Sequence, residues 1–301
     1  MPALMFEFQP EYILGARFSK SHRTVANAAL GDLEPGALLP LLARPNLLNP
    51  EEVGGKVAAV AGVLGSDKGP IGLLLPDGAV RVSVLDFETL PTDRRERESL
   101  IRWKTKSLLP YPVEEGRLSF EIAAKEPEGV QAVVMAVRKS VLAEYESTVD
   151  ALSGQVSLVL PSSAALLPLL SEEADEGEML VNISPTYLTV VVAAGGQIRL
   201  WRNQAMAGKS SAEGLSAVRE EAMRTLAASH DHLGLDVSCV RVCARPGVPS
   251  DWLEELGRML SREVDDLVPD SMPAGSKLSY EEGRILSEFG ATISGLAANA
   301  Q

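Results

Sequence analysis

The sequence predicts an α/β fold built from two halves with the same order of elements, with a small α+β unit inserted in the first half. Two observations carry this prediction. An order of three strands, a helix, a strand and a helix fits the start of the chain and fits it again after residue 178. Between the two occurrences the order changes, and a helix, a proline-rich corner and a strand follow one another.

The composition is that of a globular protein whose surface is acidic. The chain has 301 residues, enough for two domains of ordinary size, and 46% of them are hydrophobic. The net charge of −13 argues against general nucleic-acid binding, which needs a basic surface. No apolar run approaches the roughly 18 residues of a membrane span. The start of the chain lacks the features of a signal peptide, and Cys239 and Cys243 fit a reducing compartment, so a cytoplasmic protein is expected.

Three short strands are predicted to open the first half, because apolar runs alternate with turn-forming residues. They span residues 4–8, 12–18 and 22–28.

A helix and two strands are predicted to complete the first half. Asn49 and Pro50 are typical of a helix start, as cap and first-turn residue. Residues 71–75 form a continuous apolar run, which indicates a central strand buried on both faces. Residues 80–84 alternate and predict a further strand. The apolar face of the helix is predicted at Val53, Val57, Val60, Ala61 and Leu64.

The inserted unit is predicted around a helix over residues 94–108. Pro110 and Pro112 cannot continue this helix, and each pushes its preceding residue toward an extended conformation. The stretch is therefore expected to form a helix, a rigid corner and a strand. The unit continues with strands over 117–124 and 130–138, a helix over 140–153 and a strand over 156–160.

The second half is predicted after a helix near residues 162–170 and an exposed acidic linker over 171–178. Its elements are strands over 179–183, 187–193 and 197–203, a helix over 212–232, a strand over 239–243, a helix around 252–260, a strand over 264–267 and a helix over 280–297.

The corner carries a resemblance to a known family. The run Leu109-Pro110-Tyr111-Pro112-Val113-Glu114-Glu115, followed by a strand around Ser119-Phe120-Glu121-Ile122, resembles the inserted subdomain of PilM-type proteins. These are actin-like cytoplasmic components of type IV pilus assembly, and the cytoplasmic domain of the type II secretion protein GspL is similar. The resemblance implies an actin-like, ribonuclease H-like fold with duplicated domains and an inserted α+β subdomain.

The resemblance also implies a division into subdomains. Subdomain 1A is expected at residues 1–86 and 161–177, and the inserted subdomain 1C at 87–160. Subdomain 2A is expected at 178–301. Subdomain 2B is expected to be largely lost, because residues 206–209 lead almost directly into the long helix of the second half.

Actin-like ATPases bind nucleotide between their halves, with glycine-rich hairpins around the phosphates and an Asp in each half that holds the water shell of magnesium. The family sequence Ile-Asp-Ile-Gly-Ser corresponds here to Phe6-Glu7-Phe8-Gln9-Pro10. Val-Asp-Ile-Gly corresponds to Val181-Asn182-Ile183-Ser184. Of the late Gly-Gly turn, which contacts adenosine, only Gly247 survives in Cys243-Ala244-Arg245-Pro246-Gly247. The resemblance thus implies a degenerate nucleotide site at Glu7, Gln9, Asn182, Ser184 and Gly247, no binding of ATP or magnesium, and no enzymatic activity.

PilM-type proteins capture the N-terminal cytoplasmic segment of the membrane protein PilN in a groove between the first and the inserted subdomain. The resemblance implies a non-enzymatic cytoplasmic adaptor at the inner face of the inner membrane, held there through a PilN-like partner. The assembly ATPase and other platform proteins are further expected partners. There are two alternatives. One is an active enzyme, either an actin-like ATPase or a sugar-kinase-like enzyme, and the other is a GspL-like component of a type II secretion system. The partner-binding residues are expected to be Arg102, Trp103, Leu109, Pro110 and Tyr111, although Trp and Tyr are also typical of a core.

Two further groups of residues have weaker interpretations. Basic residues are concentrated between Arg94 and Lys106, which fits a solvated helix face or contact with acidic lipid head groups or an acidic partner. His230 and His232 are two positions apart, so on a helix they point to different sides and no metal site is predicted.

Overall fold

The computed structural model describes residues 2–19, 21, 24–65, 69–126, 129–152, 154–171, 176–260, 262, 264–267 and 278–298. The strands are β1 Leu4–Phe8, β2 Tyr12–Phe18, β3 Val25–Asp32, β4 Ile71–Leu75, β5 Arg81–Phe87, β6 Gly116–Glu126, β7 Gly129–Arg138, β8 Val156–Pro161, β9 Gly177–Ile183, β10 Tyr187–Ala194, β11 Gln197–Ala205, β12 Val237–Ala244 and β13 Val264–Asp266. The helices are α1 Pro50–Leu64, α2 Arg94–Thr105, α3 Lys139–Ser147, α4 Ser211–Leu233, α5 Trp252–Leu260, α6 Tyr280–Phe289 and α7 Ala291–Ala298.

Two five-stranded sheets have the same topology. The first has the order β3-β2-β1-β4-β8 and the second the order β11-β10-β9-β12-β13. In each sheet the first three strands along the chain form an antiparallel meander, and the other two are parallel to the central strand. This confirms the predicted duplication of one architecture.

The local elements follow from the residues that the sequence pattern singled out. The Asn49 side chain accepts a hydrogen bond from the amide of Glu52 and so caps α1, and all five predicted apolar residues of this helix are buried. The third strand lies at Val25–Asp32, later than predicted, and residues 22–23 lie outside the described residues. The segment Ser162–Leu169 forms a 3-10 helix, and the predicted final helix is divided at Gly290.

The predicted exposed linker before the second half needs correction at its end. Residues 172–175 lie outside the described residues. Glu178 belongs to β9 and is buried, and its carboxylate accepts a hydrogen bond from the amide of Ser171 at 2.6 Å. An acidic residue is therefore part of the sheet here, because a backbone donor satisfies it.

The predicted bounds of the inserted unit, residues 87 and 160, are both corrected by the strand pairing. β5 pairs with β7 in the three-stranded sheet β5-β7-β6, so this sheet begins at Arg81. β8 instead pairs with β4 in the first sheet, from Val156 onward. Alternation of apolar and polar residues shows that one face of a strand is buried. It does not show which of two neighbouring sheets the strand joins, since a strand in either sheet would bury one face.

The last two helices correct the expectation that residues 178–301 all belong to the second half. Ile285 and Leu286 of α6 and Ile293 of α7 pack in one cluster with Met5 and Leu14 of the first sheet. A Cβ on Gly295 would lie 1.9 Å from the carbonyl oxygen of Ala165, so α7 touches the backbone of the first half there. The C-terminal helices therefore join the first half, which an amphipathic pattern cannot reveal.

The helix–corner–strand stretch has the predicted form. α2 ends in a 3-10 turn at Lys106–Leu108, and a second 3-10 turn at Val113–Glu115 follows Pro112 and leads into β6. Ile101 of α2 is buried against Leu85 and Phe87 of the three-stranded sheet. No helix in the described ranges is long and apolar enough to span a lipid bilayer.

Candidate functional site

A cluster of polar side chains is buried where the two halves meet, and we call it the interdomain cluster. Most of its members come from the carboxyl ends of parallel strands and from the segments that follow them, while Thr189 comes from β10 and Thr292 from α7. Each member is 6% exposed or less. They are Glu7, Gln9, Asp77, Ser162, Ser163, Asn182, Thr189, Arg245 and Thr292.

An ion pair between the halves stands at the centre of this cluster. Nη2 of Arg245, which follows β12, lies 3.0 Å from Oε1 of Glu7 in β1. Thr292 of α7 donates to the other carboxylate oxygen of Glu7 at 2.5 Å. Burial lowers the pKa of the Arg245 guanidinium, but Glu7 and other nearby groups raise it more, so the pKa lies above its usual value. Arg245 is therefore a permanent cation in the cleft.

Gln9 and Asn182 connect this ion pair to its surroundings. Gln9 donates from Nε2 to Glu7 at 2.9 Å, and Asn182 accepts at Oδ1 from Nε of Arg245 at 3.2 Å. The side-chain nitrogen Nδ2 of Asn182 donates to the hydroxyl of Ser163 at 2.8 Å. These two predicted residues thus serve to satisfy buried polar groups within the protein.

Asp77 is a second anionic centre, and it is not among the site residues predicted from the sequence. It follows β4 and accepts at Oδ1 from the amide of Ser163 at 3.0 Å, and at Oδ2 from the hydroxyl of Thr189 at 2.6 Å. The hydroxyl of Ser163 also donates to Oδ2. A carboxylate directly after a fully buried parallel strand was the signal that could have revealed it.

Ser184 and Gly247 lie at the edge of the cluster and shape turns. The Ser184 hydroxyl donates to the carbonyl of Tyr187 at 3.0 Å and accepts from its amide at 2.9 Å. Gly247 has φ of +89°, which favours glycine, and a Cβ there would lie 3.1 Å from Pro185. Both residues therefore hold backbone conformations at the cleft.

The space left inside the cluster is small. A cavity of about 10 Å³ is bordered by Gln9, Asp77, Asn182 and Arg245, among others. One water molecule needs roughly 10–15 Å³. A nucleotide would therefore fit between the halves only if they separated and the ion pair of Arg245 and Glu7 opened.

A larger cleft lies elsewhere, between the first sheet and the inserted unit, and we call it the β8 cleft. Its volume is about 600 Å³, and a neighbouring cavity of about 420 Å³ shares Met135 and Leu160 with it. β8 is the last strand of the first sheet, so the side that faces the cleft has no strand partner in the described part of the chain. The lining of the β8 cleft includes Val80, Arg117, Ser119, Met135, Val137, Lys139, Leu142, Glu146 and residues 156–161.

The five predicted partner-binding residues do not line either of these cavities. Trp103 is 72% exposed on α2, and Arg102 pairs with Glu98 on the same helix at 3.0 Å. Tyr111 is buried, and burial raises the pKa of its phenol to about 12. Leu109 and Pro110 form the corner between them. The predicted nucleotide-site residues are thus brought together by the fold, whereas the predicted partner-binding residues lie outside the β8 cleft.

The histidine pair has an ordinary setting. Nδ1 of His230 lies 2.9 Å from Asp236, and both side chains are exposed. Among the residues that the structure describes, no group of three or more His, Cys, Asp and Glu side chains has the arrangement of a metal site.

Comparison with known proteins gives structural likenesses. No protein-family model and no curated protein sequence matches the chain. A chain of the PilM-PilN type IV pilus biogenesis complex is similar with a TM-score of 0.81 and 17% identity, over 100% of this chain and 98% of that one. An actin-like ATPase-fold protein of unknown function from Bacteroides thetaiotaomicron has a TM-score of 0.54 and 10% identity, over 88% and 90% of the two chains.

The cytoplasmic domain of EpsL, an inner membrane component of the type II secretion system of Vibrio cholerae, is also similar. Its TM-score is 0.53 at 12% identity, over 100% of this chain and 94% of that one. The chain therefore has an actin-like fold, which it shares over its whole length with a chain of the PilM-PilN complex.

Proposed function

We propose that this chain is a non-enzymatic adaptor of a type IV pilus assembly platform, at the inner face of the inner membrane. In this proposal it binds the N-terminal cytoplasmic segment of a PilN-like membrane protein in the β8 cleft. The observation that carries the proposal is the buried ion pair of Arg245 and Glu7, which occupies the place between the halves where actin-like ATPases hold nucleotide. The likeness to the PilM-PilN complex supports the platform and the partner.

The interdomain cluster supports the non-enzymatic part of the proposal by its charges. At the position where the family has an Asp that holds magnesium, Glu7 is neutralised by the guanidinium of Arg245. Breaking a buried ion pair by removing one partner costs about 3–5 kcal/mol, because the other charge stays buried. Nucleotide would have to displace this contact.

The β8 cleft supports the partner-binding part by its shape. An open strand edge lets an extended peptide add a strand through backbone hydrogen bonds, while pockets beside the edge select its side chains. Met135 and Leu142 offer apolar contacts in the cleft, and Arg117 and Lys139 add more positive charge than the single lining carboxylate, Glu146, offsets. An extended segment with apolar residues and an acidic group fits this lining.

Binding of the peptide tests the proposal. A fluorescent peptide with the N-terminal cytoplasmic sequence of a PilN-like protein is titrated with the full chain. Met135→Ala and Leu142→Ala should each weaken binding by about 2 kcal/mol if they are true anchors. Met223→Ala on α4 is the matched control, since Met223 is exposed and does not line the cleft. Trp103→Ala should also bind like the parent, because Trp103 does not line the cleft either.

Two results would count against the proposal. The parent protein could bind no PilN-like segment, or Trp103→Ala could weaken binding while both cleft variants bind normally. The likeness to EpsL supports a second candidate, a GspL-like component of a type II secretion system. Titration with cytoplasmic segments from both kinds of system separates the two, because the true partner should bind more tightly.

A further inference from the structure

Helix α2 carries a basic surface with an exposed tryptophan, and the partner-binding cleft does not use it. Six basic and three acidic residues lie between Asp93 and Lys106, although the whole chain has a net charge of −13. The helix packs on the three-stranded sheet through Ile101, so its opposite side faces outward. On that outward side, Trp103 is 72% exposed.

The basic residues of α2 divide into those with partners and those without. Lys104 donates to the carbonyl of Asp86 and lies 4.5 Å from the centre of the Phe87 ring, and Arg102 pairs with Glu98. Arg97 donates to the carbonyl of Pro91 at 3.4 Å. By contrast, the side chains of Arg94, Arg95 and Lys106 make no ion pair or hydrogen bond within the described part of the chain.

We propose that this side of α2 binds the surface of an anionic lipid membrane directly. Arg95 and Lys106 lie on the same side of the helix as Trp103, and Arg94 lies at its exposed N-terminal end. The exposed Glu96 on that side offsets only part of this charge. The net positive charge complements lipid phosphates, since a cytoplasmic leaflet has a negative surface potential. Trp103 adds an amphipathic ring of the kind that settles at the bilayer interface. An acidic protein would meet the same charges, but Trp103 stands out singly beside Ser99 and Ser107, without the apolar surroundings of a protein-binding pocket.

The inference goes beyond the proposed function, because it needs no partner protein and concerns a different face of the molecule. If both hold, the lipid contact and the partner peptide act together, and each adds to the affinity of the other for the membrane. Either can fail while the other holds, since the vesicle experiment contains no peptide and the peptide titration contains no lipid.

Tryptophan fluorescence gives a local readout of membrane contact. The chain has three tryptophans, and Trp201 and Trp252 are buried at 8% and 6% exposure, so water-soluble quenchers reach mainly Trp103. Vesicles of phosphatidylcholine with about one third phosphatidylglycerol should shift the emission to shorter wavelength and protect it from acrylamide. Vesicles of phosphatidylcholine alone should do neither, and added salt should reverse the effect.

Charge variants test whether the binding is local to α2. Flotation with the mixed vesicles should fall about fivefold for each charge removed, so on the order of a hundredfold for Arg94→Gln, Arg95→Gln and Lys106→Gln together. The matched control changes the same number of charges on other exposed surfaces and should change flotation by less than about twofold. Its substitutions are Arg44→Gln, Lys209→Gln and Arg219→Gln.

The proposal is overturned if the parent chain does not float with mixed vesicles, or if the control triple variant loses binding as strongly as the α2 variant. Retention on polyglutamate without vesicle binding also overturns it and assigns the face to an acidic protein. Trp103→Ala must weaken flotation while the thermal unfolding midpoint stays unchanged, because the side chain lies on the surface.

Discussion

Arg245 and Glu7 form an ion pair across the cleft between the halves, with Nη2 of Arg245 3.0 Å from Oε1 of Glu7 and side-chain exposures of 3% and 0%. One residue follows the fourth strand of the second sheet and the other lies in the central strand of the first. Thr292 of the C-terminal helix completes the contact from a third direction. Three distant parts of the chain therefore meet at one carboxylate, which fixes the halves against each other.

Arg245→Ala is expected to destabilise the protein strongly. The substitution leaves the carboxylate of Glu7 buried without its cation, and removing one partner of a buried pair costs about 3–5 kcal/mol. Chemical denaturation measures the change in the free energy of unfolding. Arg258→Ala is the control, since Arg258 pairs with Glu254 at the surface and such pairs contribute about 1 kcal/mol or less.

Combining Arg245→Met with Glu7→Gln separates the charge effect from packing. The double variant removes both charges of the pair together and leaves neither of them buried alone, so it should be clearly more stable than Arg245→Ala. Equal stability of Arg245→Ala and Arg258→Ala would mean that the ion pair does not hold the halves together.

Gly295→Ala is expected to destabilise the contact between α7 and the first half. The added Cβ would lie 1.9 Å from the carbonyl oxygen of Ala165, so the helix must move, and overpacking of this kind costs about 1–3 kcal/mol. Gly283→Ala in α6 is the matched control, because a Cβ there meets nothing within 4 Å and Ala stabilises a helix by up to about 1 kcal/mol relative to Gly. Thermal unfolding should thus shift in opposite directions, and shifts in the same direction would contradict the packing.

The proline corner should stabilise the inserted unit by restricting the unfolded chain. Replacing both Pro110 and Pro112 by Ala is expected to cost about 1–2 kcal/mol. Amide exchange over residues 94–124 should become faster, because α2 and β6 meet at this corner. An unchanged unfolding midpoint together with unchanged exchange would show that the corner has no structural role.

The two thiols should differ in reactivity. Burial raises the pKa of both, but Cys243 is fully inside the protein while Cys239, on the same strand β12, is only half-buried. A raised pKa means less thiolate at a given pH, so labelling should be slow at pH 8 and accelerate as the pH rises. The stability that each neutral thiol contributes is present below its unfolded pKa and is lost at higher pH.

Single-thiol variants measure this difference with a colorimetric disulfide reagent. Cys239→Ser should leave a thiol that reacts only when the protein unfolds, and Cys243→Ser a thiol that reacts in the folded state. Equal rates for the two variants would contradict the placement of Cys243 in the core.

Sequence patterns identified most elements of this fold, because periodicity reports which side of an element is buried. The five apolar residues of α1 and the buried run of β4 follow directly from this rule. Periodicity does not report which partner covers a buried side. For that reason periodicity could not show that β5 pairs with β7, or that Ile293 of α7 packs against the first half.

The candidate sites illustrate the same limit. The resemblance pointed to Glu7, Gln9 and Asn182, and the structure brings them together. The resemblance included Arg245 only in a turn that has lost one of its two glycines. It did not show that Arg245 pairs with Glu7, because the two residues come from different halves of the chain. Trp103 lies outward on α2, and sequence alone does not show whether such an aromatic residue faces solvent or lines a cleft.

Calorimetric titration of the full chain with Mg-ATP tests whether the buried pair of Arg245 and Glu7 has taken the place of a nucleotide. No heat of binding is expected up to millimolar ATP, because the halves must separate and a buried ion pair must break before nucleotide can enter. Saturable binding of Mg-ATP with a dissociation constant below about 1 mM would contradict it, since a gain of about 4 kcal/mol would then overcome the closed cleft.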